Sequence, residues 1–237
     1  MTRKLYWEDP YMKEFSAMVK KADGSKIVLD QTAFYPTSGG QLTDMGKIAS
    51  SGEEYNVIDV KEESGEVVHT LDRDFVGGQG AMVKGRIDWE RRYSLMRYHT
   101  AIHVLCAVVE KRYNGSWKGG MMYVDKAHVD LDLPILNKEL AEKIIEEANA
   151  VIAEGHNVYS RFITQQEALA NPALAKTEPG RELIKRLDVV RVVEIENLDI
   201  QMDGGTHVSN TKEIGRMRLS GFDNKGSHRK RVEMVLG

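Results

Sequence analysis

The chain has one cysteine, five prolines and few aromatic residues. A single thiol, Cys106, excludes an internal disulfide framework and fits a reducing compartment. No stretch approaches the roughly 18 apolar residues that a membrane span needs. The first residues, MTRKLYWEDPYMKEF, lack the apolar run of a secretion signal. These absences lead to the expectation of a cytoplasmic protein. What remains is ordinary globular material: 237 residues, 41% hydrophobic and 29% charged. That is enough to fill one large domain or two modest ones without a metal to drive folding.

The net charge of −3 hides an asymmetry. Residues 215–237 carry +4, so residues 1–214 carry −7. A basic end on an acidic body suggests a polyanion partner. A solvated strand edge bearing Lys and Arg is the plainer alternative.

The pattern of elements predicts an α+β chain. Residues 1–88 read as β-rich, with KIVLDQTAFYP, YNVIDVKE, EVVHTL and AMVKGRIDW as strands and ESGE and GGQG as turns. Short strands between glycine turns suggest a small barrel or sandwich. From Asp88 the pattern becomes helical. Leu95, Tyr98, Ile102, Leu105 and Val109 share one stripe, Asp88 suits the N-cap, and Asn114-Gly115 ends the run. Residues 89–237 are expected to form a second, two-layer α/β domain. A strand at AHVDLDL precedes a helix that Asn137 caps and Gly155 closes. NVYSRFIT, LDVVRVVEIENLDIQM, GTHVSNT, RMRLSGF and RKRVEMVL are later strand candidates, and TQQEALA is a short helix.

The helix carries YHTAIH, which puts His99 and His103 one turn apart on one face, at the edge of the apolar stripe. That position predicts half-buried imidazoles. Two histidines at this spacing also arise as a satisfied pair at a core edge. A second pair, Asp203 and His207, stands in MDGGTHVSNTKEIG. Gly204 and Gly205 break any helix there, so the pair should lie on a turn leading into a strand. A surface histidine after a β-turn is the plain alternative. Together the two pairs offer three or four ligands to a metal such as zinc. Cys106 is a competing ligand, though a small apolar filler is its commoner role. His69, His128, His156 and His228 are expected to be structural or superficial.

In combination these motifs resemble the editing domain of alanyl-tRNA synthetase and its free-standing AlaX relatives, in their medium-length form. The resemblance is carried by HxxxH in RYHTAIHVL, GGTHV followed by TKEIG, the glycine-rich TAFYPTSGGQLTDMG, the lead-in VKGRIDWERRYSLMRYHT and the basic DNKGSHRKRVEMVL. It implies a zinc-dependent editing domain over 89–237, behind a small β-barrel domain over 1–88. It implies zinc held by His99, His103 and His207. The family usually has cysteine where this chain has Asp203, so Asp203 becomes the fourth ligand, or the base that acts on a zinc-associated water.

The implied activity is hydrolysis of tRNA(Ala) mischarged with serine, and also with glycine. A synthetase pocket for alanine rejects neither glycine nor serine strongly, so a second, hydrolytic site is needed. A site built around a hydroxyl can refuse alanine by roughly 10⁴ or more. Thr32 is the expected reader of that hydroxyl, with Thr206 also at the substrate. Gly39 and Gly40 would let backbone approach the ester, and Gln41 would position water or the terminal ribose. A plain hairpin turn is the other reading of SGGQ. Arg229, Lys230 and Arg231 become contacts to the tRNA, with Arg91, Arg92 and Arg97 as weaker candidates. A zinc-stabilised tRNA-binding module without hydrolysis is the alternative function.

Overall fold

The computed structural model describes every residue except Lys176, Thr177, Lys225, Ser227 and His228, and leaves aside the side chains of Pro172, Glu178 and Pro179. The basic Lys225 and the expected surface histidine His228 therefore lie outside the described residues. The chain forms two compact units, Met1–Leu95 and Met96–Gly237. The boundary expected at 88/89 falls at the start of the long helix, and the units divide within that helix.

The first unit opens with β1 (Arg3–Lys4) and the single turn α1 (Leu5–Glu8). It continues with β2 (Glu14–Asp23), β3 (Lys26–Leu29), β4 (Gln31–Thr32), β5 (Gly46–Ser50), β6 (Glu53–Glu63), β7 (Glu66–Leu71) and β8 (Met82–Ile87). Six of these close an antiparallel barrel in the order β2-β3-β7-β6-β5-β8. Closure removes the exposed sheet edges that an open sheet would present. Alternation drives it: Phe15, Ala17 and Val19 of β2 turn inward, as do Val67, His69 and Leu71 of β7. Their partners in the core include Ile27, Phe34, Ile48, Tyr55 and Val83. The expected single strand over 26–36 is broken. Asp30 accepts the backbone N–H groups of Met18 and Gln31 at 2.8 Å, which turns the chain after β3.

Helix α2 (Trp89–Tyr113) leads into the second unit. Asp88 accepts the Arg91 N–H at 3.2 Å, and Asn114 takes a left-handed φ of 49° that stops the helix. One apolar stripe was the expectation. Instead every residue from Tyr98 to Val109 is buried, so this middle stretch of α2 is enclosed on all sides, while the helix ends keep exposed residues.

The second unit adds β9 (Ser116–Met122), β10 (Ala127–Asp132), α3 (Lys138–Glu154), β11 (Val158–Thr164), α4 (Gln165–Ala170), α5 (Glu178–Ile184), β12 (Val189–Ile195), β13 (Asp199–Met202), β14 (Met217–Asn224) and β15 (Lys230–Leu236). They form two antiparallel sheets, β14-β15-β10-β9 and β11-β12-β13. Helix α3 packs on β14. Its Asn137 cap accepts the Leu140 N–H at 2.8 Å, and Gly155 ends it at φ 83°. The α+β class is thus observed. The segment LDVVRVVEIENLDIQM is a hairpin, turned at Asn197 with φ 60°. GTHVSNT is not a strand. Asn210 and Glu213 form a capping box that starts a 3₁₀ turn at Thr211–Ile214 instead. No helix among the described residues is long and apolar enough to cross a membrane.

Candidate metal centre and substrate-contact residues

His99, His103, Asp203 and His207 meet in the second unit, each offering an atom within 4.8 Å of the others. One turn of α2 supplies the first two. The other two come from the loop after β13, which is pinned to β12. The Asp203 N–H donates to the Arg191 carbonyl at 3.2 Å. The Arg191 guanidinium returns bonds of 2.9 Å to the carbonyls of Asp203 and Gly205. The Gly205 N–H donates to Asp203 Oδ1 at 2.6 Å, closing an Asx turn. The side chain of Asp203 is thereby aimed before any ligand arrives.

The carboxylate touches all three imidazoles. Asp203 Oδ2 lies 3.3 Å from His99 Nε2 and 3.6 Å from His103 Nε2, and Oδ1 lies 3.2 Å from His207 Nε2. The histidines are buried at 4% exposure each, deeper than the half-buried expectation, because α2 is enclosed there. Such atoms can be gathered by a four-coordinate divalent metal. Ligand bonds of about 2.0–2.1 Å in a tetrahedron set edges of roughly 3.3–3.4 Å. The Asp203 separations bracket that value, and the donor set of nitrogen and carboxylate oxygen suits such an ion. Cys106 is buried and is not among the clustered ligands.

Outer partners set which nitrogen faces inward. Thr100 Oγ donates to the Met96 carbonyl at 3.0 Å and accepts the Val208 N–H at 3.2 Å. Its remaining lone pair faces His207 Nδ1 at 3.2 Å, so Nδ1 carries the proton and Nε2 is bare. Around His103, Asp199 Oδ2 lies 3.4 Å from Nδ1. Gln201 Nε2 sits 2.8 Å from both that nitrogen and Asp199 Oδ2. The sequence reading missed Thr100, Asp199, Gln201 and Arg191. Thr100 stood inside the quoted YHTAIH, and the i+1 position gave the signal. The others depend on the β12–β13 hairpin.

Charge is shared unevenly here. Burial opposes a charge on His103, but hydrogen bonds to Asp199 and Asp203 outweigh it and raise the imidazole to about 9. Burial, together with the neighbouring His99, pushes His207 well down. Burial raises Asp203, and the three imidazoles more than reverse it, holding the carboxyl well below its usual range.

The glycine-rich motif lies in the first unit. Ser38 and Gln41 exchange backbone bonds of 3.1 and 2.9 Å across Gly39 and Gly40, whose φ values are 57° and 83°. That is a two-residue hairpin turn needing positive φ at both central residues, which glycine meets freely. Its tip is exposed, whereas the Gln41 and Thr32 side chains are buried. Thr32 Oγ accepts the Phe34 N–H at 3.1 Å and lies 2.8 Å from His69 Nε2. His69 Nδ1 faces the Ile27 carbonyl at 3.3 Å, so it holds the proton, and Thr32 donates to Nε2. Burial pushes His69 down to about 4. Thr206, in the second unit, is also buried.

The basic residues divide by face. Arg229 and Arg231 both grip Asp130. Lys230 is a correction: strand alternation turns it inward, it is buried, and its ammonium donates to the Gly226 carbonyl at 2.7 Å. Arg92 is a second correction. It is wholly buried in an ion pair with Asp44 and is closed to RNA. Arg91 donates to the Thr43 carbonyl, and Arg97 to those of Ile214 and Gly237.

Residues 7–91 match the family model described as tRNA synthetases class II (A), and residues 190–233 the one described as threonyl and alanyl tRNA synthetase second additional domain. The chain is 40% identical over 234 residues to the alanyl-tRNA editing protein AlaX-M of Saccharolobus solfataricus, covering 98% of each chain. It is 38% identical over 243 residues to the AlaX-M protein of Methanosarcina barkeri, covering 100% of this chain and 99% of that one. It is also 41% identical over 239 residues to the alanine–tRNA ligase of Ignicoccus hospitalis, where it spans 26% of the longer protein. Matched from end to end by such proteins, the chain belongs to the AlaX-M family of alanyl-tRNA editing proteins.

Proposed function

We propose that this chain is a trans-editing hydrolase that releases serine, and also glycine, from mischarged tRNA(Ala) in the cytoplasm. The resident metal in this reading is zinc, and the second unit is the editing domain. The observation that carries the proposal is the cluster of three imidazoles and one carboxylate, found in a chain of an alanyl-tRNA editing family.

When bound, zinc supplies Lewis acidity toward an ester carbonyl or a water. His99, His103 and His207 would hold it through Nε2. Asp203 either completes the ligand set or takes a proton from the attacking water. Water adds to the carbonyl carbon, and the bond from that carbon to the ribose oxygen breaks. The proton taken from water passes to the ribose oxygen, giving free amino acid and an intact tRNA hydroxyl. Gln41 positions the water or the ribose, and Gly39 and Gly40 leave room for the ester. Thr32 and Thr206 contact the amino acid. With its proton committed to His69, Thr32 offers an acceptor only, which favours the O–H of serine over the methyl of alanine. Thr32 is fully buried, so this contact requires the segment after β4 to open.

One observation favours a second reading, a metal-stabilised tRNA-binding module. Asp203 reaches all three imidazoles, and four such ligands leave a tetrahedral ion no open position. The deciding experiment is release of labelled serine from Ser-tRNA(Ala), beside Ala-tRNA(Ala), before and after chelation. Serine release that spares alanine and stops with chelator supports the hydrolase. Tight tRNA binding without release overturns it in favour of the module.

A further inference from the structure

A cavity of about 420 Å³ lies on the outer face of the β15-β10-β9 sheet, lined by Lys118, Gly119, Gly120, His128, Asp130, Arg229 and Arg231. Its lining carries three cations against one carboxylate. The carboxylate is spent on holding two of those cations. Asp130 Oδ2 accepts Arg229 Nε at 2.8 Å and Arg231 Nη2 at 3.0 Å, and Oδ1 accepts Arg231 Nε at 2.7 Å. Arg229 Nη2 makes a further bond of 2.5 Å to Oδ2. These bonds use Nε–H and one Nη2 hydrogen of each guanidinium, and the other Nη2 hydrogen and the two on Nη1 point elsewhere. Two arginines fixed in this way lose little side-chain freedom on binding an anion.

The floor is as telling as the walls. Gly119 has φ 157°, and a Cβ built there would meet nothing within 4 Å. Gly119 pairs with Asp130 across the sheet, so a side chain there would stand on the cavity side, and its absence keeps the space between Lys118 and the arginine pair clear. Lys118 stands at the rim, half exposed, with Asp132 3.5 Å away. A surface ion network that served only stability would not need an open floor between its cations.

We propose that this cavity seats a backbone phosphate of the tRNA. The assignment rests on the editing reading in taking tRNA as substrate, but it concerns a different face of the second unit from the metal cluster. Phosphate neutralisation makes binding salt-dependent, with a slope in log–log form of roughly 0.7–0.9 per phosphate contact. Base identity has no part in it, so affinity should fall uniformly across RNA sequences.

The test is anisotropy of labelled, deacylated tRNA(Ala) with the full chain, from low to moderate salt. Lys118→Ala and Arg229→Ala should each reduce the salt slope, and the double variant by about 0.7–0.9, the share of the one phosphate seated there. Lys138→Ala, an exposed cation at the start of α3, should leave the slope alone. An unchanged slope in the double variant overturns the proposal, as does an equal effect from Lys138→Ala. Polyglutamate competing as well as tRNA at equal charge would overturn it in favour of an acidic polypeptide. His99→Ala separates this from the hydrolase reading. It should abolish serine release and keep the slope. Normal serine release by a double variant with an unaltered slope would sink the phosphate seat and leave the hydrolase standing.

Discussion

Asp44→Asn should cost the first unit about a fifth or more of its stability. Arg92 and Asp44 are both wholly buried and form an ion pair. Arg92 Nε lies 2.9 and 3.0 Å from the two carboxylate oxygens. The guanidinium also donates to the carbonyls of Pro10 at 2.9 Å and Ala33 at 2.6 Å. Asp44 in turn accepts the Tyr35 N–H at 2.6 Å. The pair therefore clamps both ends of the loop that holds Gly39, Gly40 and Gln41. Removing one partner of a buried pair strands the other charge, at a cost of about 3–5 kcal/mol. A unit of this length carries on the order of 5–14 kcal/mol in total. Urea unfolding followed by tryptophan fluorescence reads the loss. Trp7 and Trp89 report on the first unit, and Trp117→Phe removes the signal of the second. Asp44→Leu with Arg92→Met should not restore it, although it removes both charges, because the Pro10 and Ala33 carbonyls lose their donor and the Tyr35 N–H its acceptor, at about 1–3 kcal/mol each. A loss below about 1 kcal/mol for Asp44→Asn would refute the reasoning.

His69 gives a pH test. Its folded pKa is depressed to about 4, so the fold holds it neutral while the unfolded chain takes up a proton below its ordinary value. The stability it supports is fully present above about pH 6.5 and drains as pH falls toward 4, by about 3 kcal/mol. Urea titrations of His69→Gln should show a flatter profile in that window, and an equally steep one refutes the assignment. At the metal cluster, Asp199→Asn should weaken metal binding about 10–100-fold by loosening His103, measured by competition with a chromogenic chelator. Asp203→Cys should instead tighten zinc in the same assay, because thiolate is the softer ligand. Weaker binding by that variant would count against Asp203 as a ligand.

The periodic parts of this fold were legible. The span of α2 follows from its apolar spacing, the Asp88 cap and Asn114. Helix α3 follows from Asn137 and Gly155. Strand β2 was missed although Phe15, Ala17 and Val19 alternate, because Lys20 and Lys21 mask its end. Strand β9 was missed because SWKGGMM contains two glycines, which read as a turn in isolation. GTHVSNT has a strand's composition, but a four-residue capping box, Asn210 to Glu213, decided otherwise. At the site, residue types and spacing pointed to His99, His103, Asp203 and His207, which the fold gathers. Asp199 and Gln201 were invisible because their register across from β12 is a tertiary fact. The difference between Lys230 and its neighbours was available from alternation alone and was overlooked in reading the basic run as one patch.

The metal cluster has a consequence for the chain as a polymer. His103 and Asp203 are one hundred residues apart in sequence, and the chain's single cysteine gives it no disulfide. An ion held by both is a removable cross-link that closes a loop of that length. Binding only the folded chain, such an ion would stabilise it by about 2.7 kcal/mol at a hundred times its Kd, holding that loop closed. Strands β9 to β13 and helix α3 all lie inside it. Metal supply would then govern how firmly this half of the chain stays folded, and its melting temperature becomes a gauge of metal occupancy.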